Sequence, residues 1–252
     1  MGEALLGGLI AAGWATPDEL AVVEVFAERR EVLRAQFPGV TVLDAVRPAE
    51  AAVVAVKPND VPAACSALAE AHVMRVLSIA AGVPTARLEA GLAPGAAVVR
   101  AMPNTPALVG AGAAAIAGGS AASDADLAWA ESILSAVGTV VRVDESLLDA
   151  VTGVSGSGPA YVFRFAEALI EAGVRAGLPR DVSVALTEQT LTGSARLLAS
   201  SDDPPEALQA AVTSPGGTTA AALSVLDEAG WFDAVIDAVA AATARSRELG
   251  AG

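Results

Sequence analysis

Short apolar runs alternate with amphipathic stretches through the first half of the chain. The runs AVVEVF (Ala21–Phe26), VTVL (Val40–Leu43), AAVVAV (Ala51–Val56), RVLSI (Arg75–Ile79), AVVRA (Ala97–Ala101), AAAIA (Ala113–Ala117) and TVVRV (Thr139–Val143) are rich in valine and alanine. Helical stretches separate several of them: Glu28–Phe37, Pro62–Ala71 and Asp124–Val137. Strands that are apolar on both faces and separated by helices predict a doubly wound, Rossmann-type α/β domain with a largely parallel sheet. The opening stretch, MGEALLGGLIAAGW, reads as helix from its first residues. Leu5, Leu6, Leu9 and Ile10 recur at helical spacing, and Gly13 can stop the turn.

From Leu147 onward the strand-like runs disappear and long helices take over. The stretch SGSGPAYVFRFAEALIEAGVRAG has Pro159 near its first turn and Gly177 at its exit. Arg164, Glu167, Glu171 and Arg175 form one narrow polar stripe, and the rest of the circumference is apolar. The stretch Asp181–Ala199 is similar. Residues 1–145 are therefore read as the α/β domain and 146–252 as an all-helical domain. A domain of about a hundred residues has little interior for two such helices. A second copy of the chain covering them is the expectation, with a self-contained helical bundle as the alternative.

Composition narrows the class. The chain has 252 residues, of which 54% are apolar. No secretory signal is visible at the start, and no apolar run spans a membrane without a charge or proline. The single cysteine, Cys65, excludes an internal disulfide and a cysteine-based metal cluster. Twenty-nine acidic residues against 15 basic ones give a net charge of −14, which disfavours nucleic acid as a partner. His72, the one histidine, lacks a motif and reads as a surface or helix-end residue. No metal site is expected, and the protein is read as cytoplasmic.

Three stretches carry candidate chemistry. AVKPND (Ala55–Asp60) follows a buried strand and turns at Pro58, so Lys57 would project beyond the strand's carboxyl end, where ligands of doubly wound sheets sit. A lysine there is as readily explained by solvation. RAMPNTPALVGAG (Arg100–Gly112) places Asn104 and Thr105 in a proline-stiffened loop, facing either a ligand or their own backbone. TSPGGTTAAALSVLDEAG (Thr213–Gly230) is the most informative. Ser214, Pro215, Gly216 and Gly217 lead straight into a helix whose free N–H groups favour an anion, with the hydroxyls of Thr218 and Thr219 beside them. This suits a small carboxylate better than plain capping, which needs no double glycine.

The motifs VKP, MPNTP, SGSGPAY and SPGGTT, in this order and at these separations, resemble the pyrroline-5-carboxylate reductase family of proline biosynthesis. The similarity runs from Met1 to about Leu249. It implies a Rossmann domain followed by a helical dimerisation domain, with the active site between them, and a homodimer or higher homo-oligomer. The implied reaction is hydride transfer from NADPH, or NADH, to the C=N bond of 1-pyrroline-5-carboxylate, giving L-proline. By the same resemblance, Thr219 is the catalytic residue, hydrogen-bonded to the imine nitrogen. Asp202, Ser214, Gly216, Gly217, Thr218 and Thr219 bind substrate. Met1, Gly2, Ala55, Val56, Lys57, Pro58, Ala81 and Asn104 bind the cofactor. Another imine or β-hydroxyacid reductase of the same two-domain plan, or a non-enzymatic nucleotide-binding scaffold, remain the alternatives.

Members of the family begin with a hydrophobic strand and a turn that reads G-x-G-N-M-G. Met1 and Gly2 match its last two positions. The expectation is that this sequence starts at an internal methionine, that a central strand precedes it, and that a form without that strand leaves open strand edges and stands to be inactive. After the first apolar run the family often has a small polar or basic residue at the adenosine ribose. Here Phe26 and Ala27 stand there, followed by Glu28, Arg29 and Arg30, which leaves the choice between NADPH and NADH open.

Overall fold

The computed structural model describes residues 1–251. The chain forms two compact units, residues 1–157 together with 241 onward, and residues 158–240. In the first unit, helices α1 (Gly2–Ala11), α2 (Ala27–Gln36), α3 (Val61–Glu70), α4 (Thr85–Gly91), α5 (Asp124–Ser135) and α6 (Leu148–Val151) accompany seven strands. These are β1 (Ala21–Val23), β2 (Thr41–Leu43), β3 (Ala52–Val54), β4 (Arg75–Ser78), β5 (Ala97–Met102), β6 (Gly112–Gly118) and β7 (Gly138–Arg142). All seven apolar runs are strands, most of them trimmed at their ends.

β1 and β2 form a parallel pair, and β3 to β7 form a five-stranded sheet in sequence order. β3, β4 and β5 are parallel, β6 turns antiparallel to β5, and β7 is parallel to β6. Among the described residues β1 and β3 each keep one unpaired edge. The central strands explain the apolar runs, because successive side chains enter different cores. Leu77 and Val99 join Leu5 and Leu9 of α1 and Ile133 and Leu134 of α5 on one face. Val76 and Val98 join Val61, Cys65 and Leu68 of α3 and Leu88 of α4 on the other. Helices on both faces make the sheet doubly wound. α3 and α4 approach closely, since a Cβ on Gly91 would stand 2.8 Å from that of Cys65.

Local chemistry fixes the element ends. Ser123 opens α5 with a capping box, its N–H and hydroxyl donating to Asp126 at 2.9 and 2.6 Å. α3 is capped by Ala71 and followed by His72, an exposed residue at φ 57°, so the histidine sits at the helix end as read from the sequence. The first unit extends past the change of pattern at Leu147. Leu148 is fully buried against Ala115 and Ala117, and α6 runs into a widened π-type turn over Thr152–Gly156. The last stretch of the chain groups with this unit too, where the hydroxyl of Ser246 donates to Asp149 at 2.6 Å.

The second unit is helical: α7 (Gly158–Arg175), α8 (Arg180–Ser200), α9 (Pro205–Ala211), α10 (Thr218–Glu228) and the first part of α11 (Trp231–Ala251). α7 and α8 meet closely at Gly173, where the Ser183 hydroxyl donates to the carbonyl of Ile170 at 2.8 Å. The polar stripe of α7 is a set of ion pairs: Arg164 with Glu167, and Glu171 with both Arg175 and Arg180. Phe165 packs on Trp231, but many of the apolar residues are not covered within the chain. α7 holds no buried residue, and Phe163, Leu186, Leu197 and Phe232 stand exposed. Such a surface marks an interface.

Candidate active site

The carboxyl ends of β3, β4 and β5 lie in register, Val54 beside Ser78 and Ser78 beside Arg100. The first unit's candidate residues gather on that edge. Ala55, Val56, Lys57 and Pro58 follow β3 and are all exposed, with Lys57 opening a single tight turn over Pro58–Asp60. Ala81 follows β4 and is exposed. Gly2, the first residue of α1, packs on the same segment, because a Cβ on it would stand 2.9 Å from that of Ala55. Met1 caps α1 without a side-chain hydrogen bond, so the helix presents its first N–H groups uncapped beside the end of β3. A closely packed helix start next to strand ends fits the phosphates of a dinucleotide.

Asn104 follows β5 and behaves differently. It is nearly buried, and its carboxamide is used by the protein itself. Oδ1 accepts from the N–H of Ala113 at 2.8 Å, and Nδ2 donates to the carbonyl of Ser155 at 3.0 Å. Of the two readings of the MPNTP loop, the side chain bonded to backbone holds at Asn104. Its side chain joins the start of β6 to the π-type turn.

In the second unit, Ser214 to Gly217 make a reverse turn closed by the N–H of Gly217 donating to the carbonyl of Ser214 at 3.0 Å. Pro215 follows Ser214, and Gly216 takes φ +69°, the combination of a type II turn. A side chain at Gly216 would be strained in that conformation. The turn delivers Gly217 as the cap of α10, and no side chain caps the helix. Thr218 is exposed and Thr219 half-buried at its first positions. An uncapped helix start flanked by two hydroxyls can hold a carboxylate. Asp202 is exposed between α8 and α9.

Two arrangements escaped the sequence reading. Glu145 collects the N–H of Thr85 at 2.7 Å, its hydroxyl at 2.5 Å and the Arg100 guanidinium at 3.0 Å. Burial pushes its carboxyl up, but the Thr85 and Arg100 contacts outweigh it and hold it below the usual range. Arg100 is thereby neutralised at the carboxyl edge. The second arrangement lies after β1, where Arg29 pairs with Glu3 and Arg30 donates to the carbonyls of Glu24 and Val25 at 2.8 and 2.9 Å. No local motif signals either one, because their members lie far apart in sequence or look like ordinary helix charges.

Among the described residues no three His, Cys, Asp or Glu side chains converge for a metal, and no helix is long and apolar enough to cross a membrane. A family model described as pyrroline-5-carboxylate reductase dimerisation matches residues 145–249. Another, described as NADP oxidoreductase coenzyme F420-dependent, matches residues 1–82. The pyrroline-5-carboxylate reductase of a Synechocystis strain is 46% identical over 254 residues, covering 99% of this chain and 95% of that protein. The Mycobacterium tuberculosis enzyme is 44% identical over 277 residues, with 99% and 93% covered. A pyrroline-5-carboxylate reductase structure from Coxiella burnetii superposes with a TM-score of 0.92 at 35% identity, covering 98% of this chain and 94% of that one. The Plasmodium falciparum pyrroline carboxylate reductase, solved with NADP bound, gives 0.87 at 30% identity, with 99% and 94% covered. Likeness at this level over nearly the whole length, together with the turn before α10 and the strand-end geometry, means that the chain belongs to the pyrroline-5-carboxylate reductase family.

Proposed function

We propose that the chain reduces 1-pyrroline-5-carboxylate to L-proline in the cytoplasm, as a homodimer joined through the exposed apolar helices of its second unit. The observation that carries this reading is the turn Ser214–Gly217 with its left-handed Gly216, which opens an uncapped helix bearing Thr219.

A bound reduced nicotinamide would supply hydride to the imine carbon. In the first unit, the N–H groups of Met1 and Gly2 would hold the dinucleotide phosphates, and Ala55 to Pro58 with Ala81 would line it. Asn104 contributes by fixing the loop after β5. In the second unit, the N–H groups of Gly216 and Thr218, with the Ser214 backbone, would hold the substrate carboxylate, while Gly217 closes the turn through its own N–H. The Thr219 hydroxyl would hydrogen-bond the imine nitrogen. As the C=N bond becomes CH–NH, the carbon gains hydride and the nitrogen keeps or gains one solvent-derived proton. A threonine hydroxyl is too weak an acid to supply that proton, so Thr219 orients the nitrogen. Asp202 would stand on the substrate side.

The test is the loss of reduced-nicotinamide absorbance on adding pyrroline-5-carboxylate, with proline identified as product. Oxidation of the cofactor with a β-hydroxyacid's keto form but not with the imine would replace this reading with that of another reductase.

A further inference from the structure

We infer that the adenosine end of the cofactor site is built for an unphosphorylated ribose, and that the Glu3–Arg29 ion pair sets this preference. The inference rests on the dinucleotide-binding reading above. In a Rossmann-type sheet, an acidic residue about 20 positions after the glycine turn reads the ribose hydroxyls, whereas a nearby arginine accepts a 2′-phosphate. Glu24 stands directly after β1 and 22 positions after Gly2. It is still in the ladder, its N–H donating to the carbonyl of Leu43. Its carboxylate is folded over the turn, accepting the N–H of Phe26 at 3.0 Å.

The two arginines beside it are already engaged. Arg30 lies along the turn with its guanidinium on the carbonyls of Glu24 and Val25. Arg29 reaches back to Glu3 in the first turn of α1, the helix whose start packs on Ala55. Glu3 therefore sits between the phosphate-binding helix start and the turn after β1. A 2′-phosphate entering here would face Glu24 and would have to displace Glu3 from Arg29. A ribose diol would do neither, and its hydroxyls can donate to the Glu24 carboxylate. Glu3 is a positioning residue, because it acts through Arg29.

Isothermal titration of NADH and NADPH into the protein, wild type and Glu3→Gln, tests this. The wild type is expected to bind NADH at least as tightly as NADPH. Freeing Arg29 in Glu3→Gln should tighten NADPH by about two- to fivefold, the range of an exposed ion pair, and leave NADH within about twofold. A loss of general structure would move both cofactors alike. Glu24→Gln should weaken NADH and tighten NADPH. Wild-type binding of NADPH more than about tenfold tighter than NADH, or an unchanged ratio in Glu3→Gln, would overturn the inference while leaving the reductase reading intact. Binding of neither dinucleotide would overturn both.

Discussion

The carboxamide nitrogen of Asn104 donates to the carbonyl of Ser155 at 3.0 Å, across 51 residues of sequence. The bond ties the loop after β5 to the π-type turn that precedes α7, and the same side chain accepts from Ala113. Replacing Asn104 by Ala should leave the half-buried N–H of Ala113 and carbonyl of Ser155 without this partner, at a cost of about 1–3 kcal/mol. Asn104→Asp should cost as much, since a carboxylate would face the Ser155 carbonyl. Thermal unfolding monitored by circular dichroism checks both. A melting temperature within about a degree of wild type would show that the link carries no stability.

Glu145 makes part of the stability acid-sensitive. Its folded-state pKa lies below its unfolded value, so its contribution is present above the ordinary glutamate range and is lost as pH falls through the depressed value. Glu145→Gln should lower stability at neutral pH by about 1–3 kcal/mol, because the nearly buried Arg100 loses its charged partner. It should also flatten the decline below about pH 4.3, the unperturbed glutamate value. Urea unfolding at pH 7 and at a series of acid values gives both quantities. Parallel curves for wild type and variant would refute the assignment.

Gly216 stands at φ +69°, where a side chain costs about 1–2 kcal/mol. Gly216→Ala should raise KM for pyrroline-5-carboxylate several-fold by distorting the turn before α10, with the dissociation constant of the dinucleotide unchanged. Gly216→Asn should be milder, because asparagine tolerates this conformation better. Steady-state kinetics with the two ligands varied separately decide it.

Thr219→Ala should lower turnover about ten- to a hundredfold, the worth of one hydrogen bond of about 1.5–3 kcal/mol made mainly in the transition state. Thr219→Ser should keep most activity. Full turnover in the alanine variant would reduce Thr219 to a helix-start residue and move the assignment to the backbone of Gly216–Thr218.

Phe163 projects from α7 with 67% of its surface exposed in the single chain. Phe163→Glu should shift the protein toward a smaller species in sedimentation at low micromolar concentration, since an unpaired charge would be buried at the interface, at a cost of about 2–4 kcal/mol. An unaltered sedimentation coefficient would place the interface on another face.

The sequence was most legible where the physics is local or repetitive. β4 and β5 are buried on both faces, so Val76, Leu77, Val98 and Val99 form runs that no surface strand would show. The turn before α10 was readable because Pro215, Gly216 and Gly217 dictate its geometry on their own. α4 escaped notice because its seven residues, TARLEAG, are too few for a periodic pattern. The Glu145 cluster was invisible for another reason. Thr85 and Glu145 lie 60 residues apart and meet only because the sheet brings their elements together. The MPNTP loop sits between these cases. Its rigidity was evident from two prolines, but whether Asn104 faced a ligand or its own backbone depended on where β6 and the π-type turn came to rest.

The close approach of α3 and α4 turns the only cysteine into a clock. Cys65 lies beneath Gly91 with 1% of its surface accessible, and burial also pushes its thiol up, away from the reactive thiolate. A maleimide in solution can therefore label it only during moments when the α3–α4 layer parts. When reclosure outpaces the reagent, the labelling rate measures how often that layer stands open. At high reagent concentration it measures how fast the layer opens. Repeating the measurement with saturating dinucleotide would report, through one buried sulfur atom, how strongly the bound cofactor holds the first unit shut.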